Sequence, residues 1–287
     1  MSLSLTKEVG TRLKKNHKTF ARIAEMILLL PAILVVCILF VYPFIHSLIN
    51  SFRRGDEWGI TNYITVWQLY RGDLLYTIWV ATVSLTILLI LGIFIGGYLR
   101  LYKNSMIEFL FKVPLFVPYV VVAHAMRVFL APNGTLNAVL SILGIIDIEN
   151  STSIVFSTKG IVTALVWKNI SMVLLLMMGA FRGIDNSYID AAKNIGAKNL
   201  KIIINILVPM AKNSIMVASI LIFTSMMGSF SIPAMLASGN DSQMIMVDLY
   251  YQIVYQNNYG VANAIGVISY LVSMGAAIYY LKMVTKK

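Results

Sequence analysis

Six apolar runs, each close to the length that crosses a bilayer, recur along this chain and decide what it can fold into. They cover residues 26–50, 75–99, 107–131, 160–181, 213–236 and 261–281. A helix needs roughly 20 apolar residues to cross a hydrocarbon core. Of the 287 residues, 59% are hydrophobic and 12% charged. A soluble domain carries about twice that charged share. No soluble fold of this size hides so much apolar side chain, so lipid must solvate part of it. The predicted class is all-α, a polytopic membrane protein with six transmembrane helices. The third run is the least regular, because it holds Pro114, Pro118, His124 and Arg127. Neighbouring helices would have to satisfy the backbone groups that proline frees.

The net charge of +11 is dispersed between the apolar runs. That pattern speaks of topology and argues against a nucleic-acid partner. Segments 1–22, 100–112, 182–212 and 282–287 hold 17 of the 23 Lys and Arg residues. The other gaps hold only Arg53, Arg54, Arg71 and Lys159, while Arg127 and Lys168 fall inside runs. The excess of basic residues places both termini and the 182–212 loop in the cytoplasm. The predicted organisation is a basic arm, 1–22, followed by one membrane domain, 23–287. No small-residue cleavage site follows the first run, which therefore reads as a retained anchor. Outside, 51–74 carries aromatic residues suited to an interfacial belt. Segment 132–159 predicts a turn at Asn133–Gly134 and a short amphipathic helix. Segment 237–260 is rich in tyrosine.

The loop between the fourth and fifth runs, "DAAKNIGAKNLKIIINILVP" from Asp190 to Pro209, is small, polar and dotted with lysine. Ser187 and Asp190 have the S-x-x-D form of a capping box, which would place Asp190 in the first turn of a helix. Ala191 and Ala192 would let another surface approach closely. Gly196 would allow a sharp turn that residues with a Cβ resist. A second helix, 198–208, would lay Ile202, Ile203, Ile206 and Leu207 against the membrane body. Such a shape suits docking into a groove on a soluble partner. It also suits an ordinary interfacial helix.

Asp190-Ala191-Ala192, then Gly196-Ala197, then Pro209 resembles the EAA loop of ABC importer permeases. The spacings match; the departure is Asp190 where the family usually has Glu, which keeps the charge and shortens its reach. "VYPFIHSLINSF" (41–52), "GTLNAVLSILGI" and "GSFSIPAML" (228–236) extend the resemblance over roughly residues 20–285. Together they look like the type I permeases of binding-protein-dependent importers. The resemblance implies a bacterial inner-membrane permease with three kinds of partner besides lipid. These are a cytoplasmic ATPase dimer, a second permease subunit (a homologue or a copy) and an extracytoplasmic solute-binding protein. It implies that Asp190, Ala191, Ala192, Gly196 and Ala197 contact the ATPase. This chain lacks G-x-x-x-x-G-K-[ST]. No cofactor is expected in it, and the resemblance assigns ATP and Mg²⁺ to the partner.

Charged and polar residues inside the runs are the candidates for a pathway: Lys168, Arg127, Asn169 and Ser229. Lys168 could equally serve a structural pairing, and Arg127 could be an interfacial anchor. His124 reads as a packing residue. No metal site is expected, because Cys37 stands alone and His17, His46 and His124 are scattered. Gly92 and Gly96 make a small-xxx-small face for helix packing. Internal cations would suit an anionic solute such as a phosphonate. "GSFSIPAML" is most similar to the branch that also moves polyamines, iron or thiamine, and "NGTLNAVLSILGI" keeps sugars open. A secondary transporter or channel is the rival class, but no convincing internal repeat supports it.

Overall fold

The computed structural model describes residues 28–147, 154–237 and 243–285, so the basic arm lies outside the described residues. Helix α1, Leu28–Ser51, is strongly apolar up to its last turns, where His46, Ser47, Asn50 and Ser51 stand, and contains a π turn at Cys37–Val41. None of its most apolar window is buried by the rest of the chain. The side chains of that window, Cys37 included, therefore face lipid or another subunit, while further along Phe44 packs on Tyr270 and Ser47 donates to Asn263 Oδ1 at 2.8 Å. A two-stranded antiparallel ribbon, β1 Arg53–Arg54 and β2 Glu57–Trp58, turns at Gly55 with a positive φ of 62°.

Helix α2, Thr61–Leu101, is 41 residues long. At 1.5 Å per residue it rises about 61 Å, twice a bilayer's hydrocarbon core. The second span was expected at 75–99; its helix begins at Thr61, inside the outer segment 51–74. Nothing in 61–74 breaks a helix, so the second span continues outward without interruption. The buried Asn62 side chain fixes its start by donating to the carbonyls of Ser51 and Arg53, each at 2.9 Å.

The third run is not one helix. Helix α3, Ser105–Lys112, passes into a 3-10 turn at Val113–Phe116, and α4, Tyr119–Phe129, leaves at 106°. Pro114 and Pro118 lack the N–H groups that a continuous helix would use, and Val117, before Pro118, is pushed into an extended conformation, φ −90° and ψ 121°. After the turn at Asn133–Gly134 comes the expected short helix, α5, Thr135–Ile142. Helix α6, Thr158–Arg182, is the most buried span. It packs on α2 where Gly92 and Gly96 remove side-chain bulk. A Cβ on Gly92 would lie 2.5 Å from Val173 Cγ1, and one on Gly96 3.2 Å from Met177 Cβ.

Two short helices follow, α7 Asn186–Asn194 and α8 Asn199–Met210, the latter with a π turn at Ile203–Leu207. The chain then bends by 78° into α9, Lys212–Met227. The fifth run was expected to continue to 236. It stops at Gly228, and α10, Ser231–Leu236, is separate. Helix α11, Ile245–Val254, precedes the last span, α12, Tyr259–Thr285. Four described helices are long and apolar enough to cross a membrane, or six when each bent pair counts as one span. The largest core, with Leu88, Met177, Phe181, Leu207, Ile222 and Met226, joins α2, α6, α8 and α9. Met226 and Met227 are both packing residues, 1% exposed.

Candidate functional site

The 182–212 loop is built as a helix, an elbow and a second helix, but its first cap is not the expected one. The Asp185 carboxylate accepts from the Ser187 N–H at 2.8 Å, so α7 starts at Asn186. That hydrogen bond holds the Asp185 carboxyl below the usual carboxylate range. Ser187 is thus inside the helix, and Asp190 sits mid-helix on an exposed face rather than in the first turn. Asp185 and Ser187 both suit a cap; a carboxylate at the dipole's positive end suits it better.

The elbow is a Schellman turn. Gly196 has φ +78°, its N–H donates to the Lys193 carbonyl at 2.9 Å, and the Ala197 N–H donates to the Ala192 carbonyl at 3.0 Å. Both orphan carbonyls of the helix end are satisfied, and only glycine takes this backbone without strain. One face of α7, Ile189 and Ala192, is buried in the main core. The other face shows Tyr188, 54% exposed, with Ala191 and Ile195, the latter 86% exposed. The i, i+3, i+7 spacing puts these three in one stripe. Tyr188 and Ile195 were not among the expected docking residues, although their spacing was readable. Ile202, Ile203 and Leu207 of α8 are buried against the body as expected.

Arg100, at the end of α2, pins the loop. Its Nε donates to the Phe181 carbonyl at 2.8 Å, and Nη2 donates to the Ile184 carbonyl at 2.7 Å and to Asn186 Oδ1 at 2.6 Å. Asn199 donates to the Tyr102 hydroxyl at 2.5 Å, and Arg182 pairs with Glu108 of α3 at 2.9 Å. The loop is therefore tied to the end of α2 and to α3. Charge pattern alone had given Arg100 only a topological role.

The candidate pathway residues do not form one cluster. Lys168, 8% exposed, sits at the break between α3 and α4. Its ammonium donates to the carbonyls of Pro114 at 2.8 Å and Val117 at 2.5 Å and lies 4.8 Å from the centre of the Tyr119 ring. These carbonyls lie at the negative end of a helix; that of Pro114 also accepts from the Val117 N–H, at 3.4 Å. One turn on, Ser171 donates to the Phe111 carbonyl at 2.8 Å. Asn169 donates to the Leu165 carbonyl at 2.8 Å and accepts from the Tyr119 hydroxyl at 3.4 Å. Arg127 lies further along α4, exposed, 5.3 Å from the centre of the Phe156 ring. His124 is exposed as well, against the packing role expected for it. Ser229, 7% exposed, lies in the turn between α9 and α10, and its hydroxyl has no hydrogen-bond partner among the described residues.

The family model described as binding-protein-dependent transport system inner membrane component matches residues 88–283. The spermidine/putrescine transport system permease protein PotB of Escherichia coli (strain K12) is 24% identical, over 67% of this chain and 74% of its own. The sulfoquinovosyl glycerol transport system permease protein SmoG of Agrobacterium fabrum is 25% identical, over 93% and 92%. The trehalose/maltose transport system permease protein MalF of Thermococcus litoralis is also 25% identical, over 90% and 92%. Among solved structures, a chain of a bacterial alginate ABC transporter in complex with an alginate pentasaccharide-bound periplasmic protein shares the fold. Its TM-score is 0.79 at 19% identity, covering 96% of this chain and 98% of that one. The matched region takes in the broken third span, α6, the α7–α8 loop and the last span. The chain belongs to the binding-protein-dependent transport system inner membrane components, and is a multi-pass permease subunit of an ABC importer.

Proposed function

We propose that α7 and α8 form the coupling element on which a cytoplasmic ABC ATPase docks. The spans above them would be one half of a solute pathway completed by a second permease subunit. The observation that carries this reading is the exposed Tyr188–Ala191–Ile195 stripe, on a helix whose opposite face is buried and whose N-terminus is pinned by Arg100. Apolar side chains exposed on a short, fixed protrusion favour a protein partner. Asp190, Ala191, Ala192, Gly196 and Ala197 would shape the contact. In this reading both termini are cytoplasmic, and the ATPase dimer binds ATP and Mg²⁺. An extracytoplasmic solute-binding protein delivers the solute. Nucleotide-driven closure of the ATPase pair would then move α7 as a rigid body and shift the spans between two arrangements.

The experiment is co-purification of the whole importer with Ile195→Asp. Burying an unpaired carboxylate in the contact costs several kcal/mol, so the ATPase should be lost from the complex while the permease, altered only at an exposed position, stays folded. Retention of the ATPase at wild-type stoichiometry would refute the docking role.

For the solute, a small polar compound of the phosphonate or polyamine class remains one reading. The ammonium of Lys168 is engaged by two backbone carbonyls, which weakens its claim to an anionic solute. Sugars are the second reading, favoured by the two sugar-type relatives that align over 90% or more of this chain. Arg127, being exposed, is the side chain best placed to contact solute; the buried, unpartnered Ser229 hydroxyl would do so only once the turn between α9 and α10 is uncovered, and Lys168 and Asn169 would brace the wall. Titrating the cognate binding protein with polyamines, phosphonates and oligosaccharides separates the readings.

A further inference from the structure

The end of the molecule opposite the coupling loop holds two carboxyl groups that the coupling role does not use. Asp73 lies on α2, roughly 40 Å along the rod from Arg100 at 1.5 Å per residue. Asp248 lies on α11, which at 10 residues is too short to span a bilayer. Gln243 joins them. Its backbone N–H donates to Asp73 Oδ1 at 3.0 Å, and its side-chain amide donates to Asp248 Oδ1 at 2.5 Å. Thr77 ties the same two helices: its hydroxyl donates to the Asp73 carbonyl at 2.6 Å and accepts from the Ile245 N–H at 2.8 Å. Asp248 is 3% exposed, and its Oδ2 is buried without a hydrogen-bond partner among the described residues.

Among the described residues the surroundings supply no compensating cation. From α2 the ionisable neighbours are Asp73 and Tyr70, and from α11 itself Tyr251. The α12 side chains packed here, Val261, Ala264 and Ile265, are apolar. Arg71, two residues before Asp73, is exposed. Two carboxylates facing each other without a cation cannot both be ionised in a dry site. A proton on Asp248 Oδ2 turns the one unmatched acceptor into a donor facing Asp73.

We propose that Asp73 and Asp248 share a single proton and form a latch that holds α11 against α2 when protonated and loosens when the proton leaves. Burial raises the Asp248 carboxyl to about 7, with the Gln243 hydrogen bond opposing and the Asp73 charge adding to the rise. The closed arrangement binds the proton more tightly than an open, solvated one, so closure is favoured at low pH. Between the ordinary carboxyl range and about 7, each unit of rising pH lowers the closed-to-open ratio about tenfold, and the dependence flattens above.

The test is hydrogen exchange of the full-length protein in detergent, reading the amides of 248–254 from about pH 4.5 to 8.5 after correction for intrinsic rates. Protection should fall about tenfold per unit up to about pH 7 and then level. In Asp248→Asn, whose amide stays neutral and can still donate to Asp73, protection should not vary with pH. Above about pH 5.5, where ordinary carboxyls are ionised, the wild type should still show the infrared band of a protonated carboxylic acid, fading toward about pH 8, and the variant should lack it. Flat wild-type protection would overturn the latch, and so would an Asp248→Asn profile that tracks the wild type. Should the variant fail to fold, the wild-type profile and infrared band decide alone.

Discussion

At the scale of the residue, Lys168 shows how a charge survives inside a span. Its ammonium donates to two carbonyls at the proline break, that of Val117 and that of Pro114, which also accepts from the Val117 N–H, so one side chain braces a break made by two others. Replacing it with methionine keeps the length and removes the donor. The Val117 carbonyl then loses this donor, at about 1–3 kcal/mol, while the Pro114 carbonyl keeps the Val117 N–H at 3.4 Å. Lys168→Met should lower the melting temperature of the solubilised protein by several degrees, with Lys168→Arg in between; equal melting curves would show that the break does not depend on this lysine. The need for such a repair was legible in the sequence, since prolines in an apolar run demand outside partners. That Lys168 supplies it was not, because the partners lie more than fifty positions apart, at separations of 54 and 51. The Gly196 elbow was legible for the opposite reason, being a local backbone requirement. The cap at Asp185 was missed because two capping residues stand within one turn of each other.

At the scale of the element, the apolar runs were visible and their breaks were not. Hydropathy counts side chains and is blind to the direction of the backbone. It therefore merged α3 with α4 and α9 with α10, and it ended the second span where polar residues begin rather than where the helix does. The coupling loop shows what this hides: its stiffness comes from contacts to other helices, chiefly Arg100. Arg100→Gln removes hydrogen bonds from a charged donor worth about 1.5–3 kcal/mol each, so uptake should fall on the order of tenfold. ATP hydrolysis by the assembled importer should continue, because the docking face itself is unchanged. Parallel loss of hydrolysis and uptake would place Arg100 in the contact rather than behind it.

At the scale of the whole molecule, orientation rests on the uneven placement of basic residues. Ile195 and Ile142 are almost equally exposed, 86% and 85%, and lie in the loop and in α5 respectively. In a Cys37→Ser background, a thiol reagent that cannot cross membranes should label Ile142→Cys in intact cells with permeabilised outer membranes. It should reach Ile195→Cys only in inverted vesicles. The reverse pattern would turn the molecule over and remove the ATPase from α7.

Helix α2 carries Arg100 near one end and Asp73 toward the other, on a single uninterrupted rod of 41 residues. A rod about 61 Å tall that leans by about 5° sweeps its tip sideways by about 5 Å. That is as far as one helical turn is high. A slight push delivered at the foot would thus arrive magnified at the crown, and a grip on the crown would stiffen the foot.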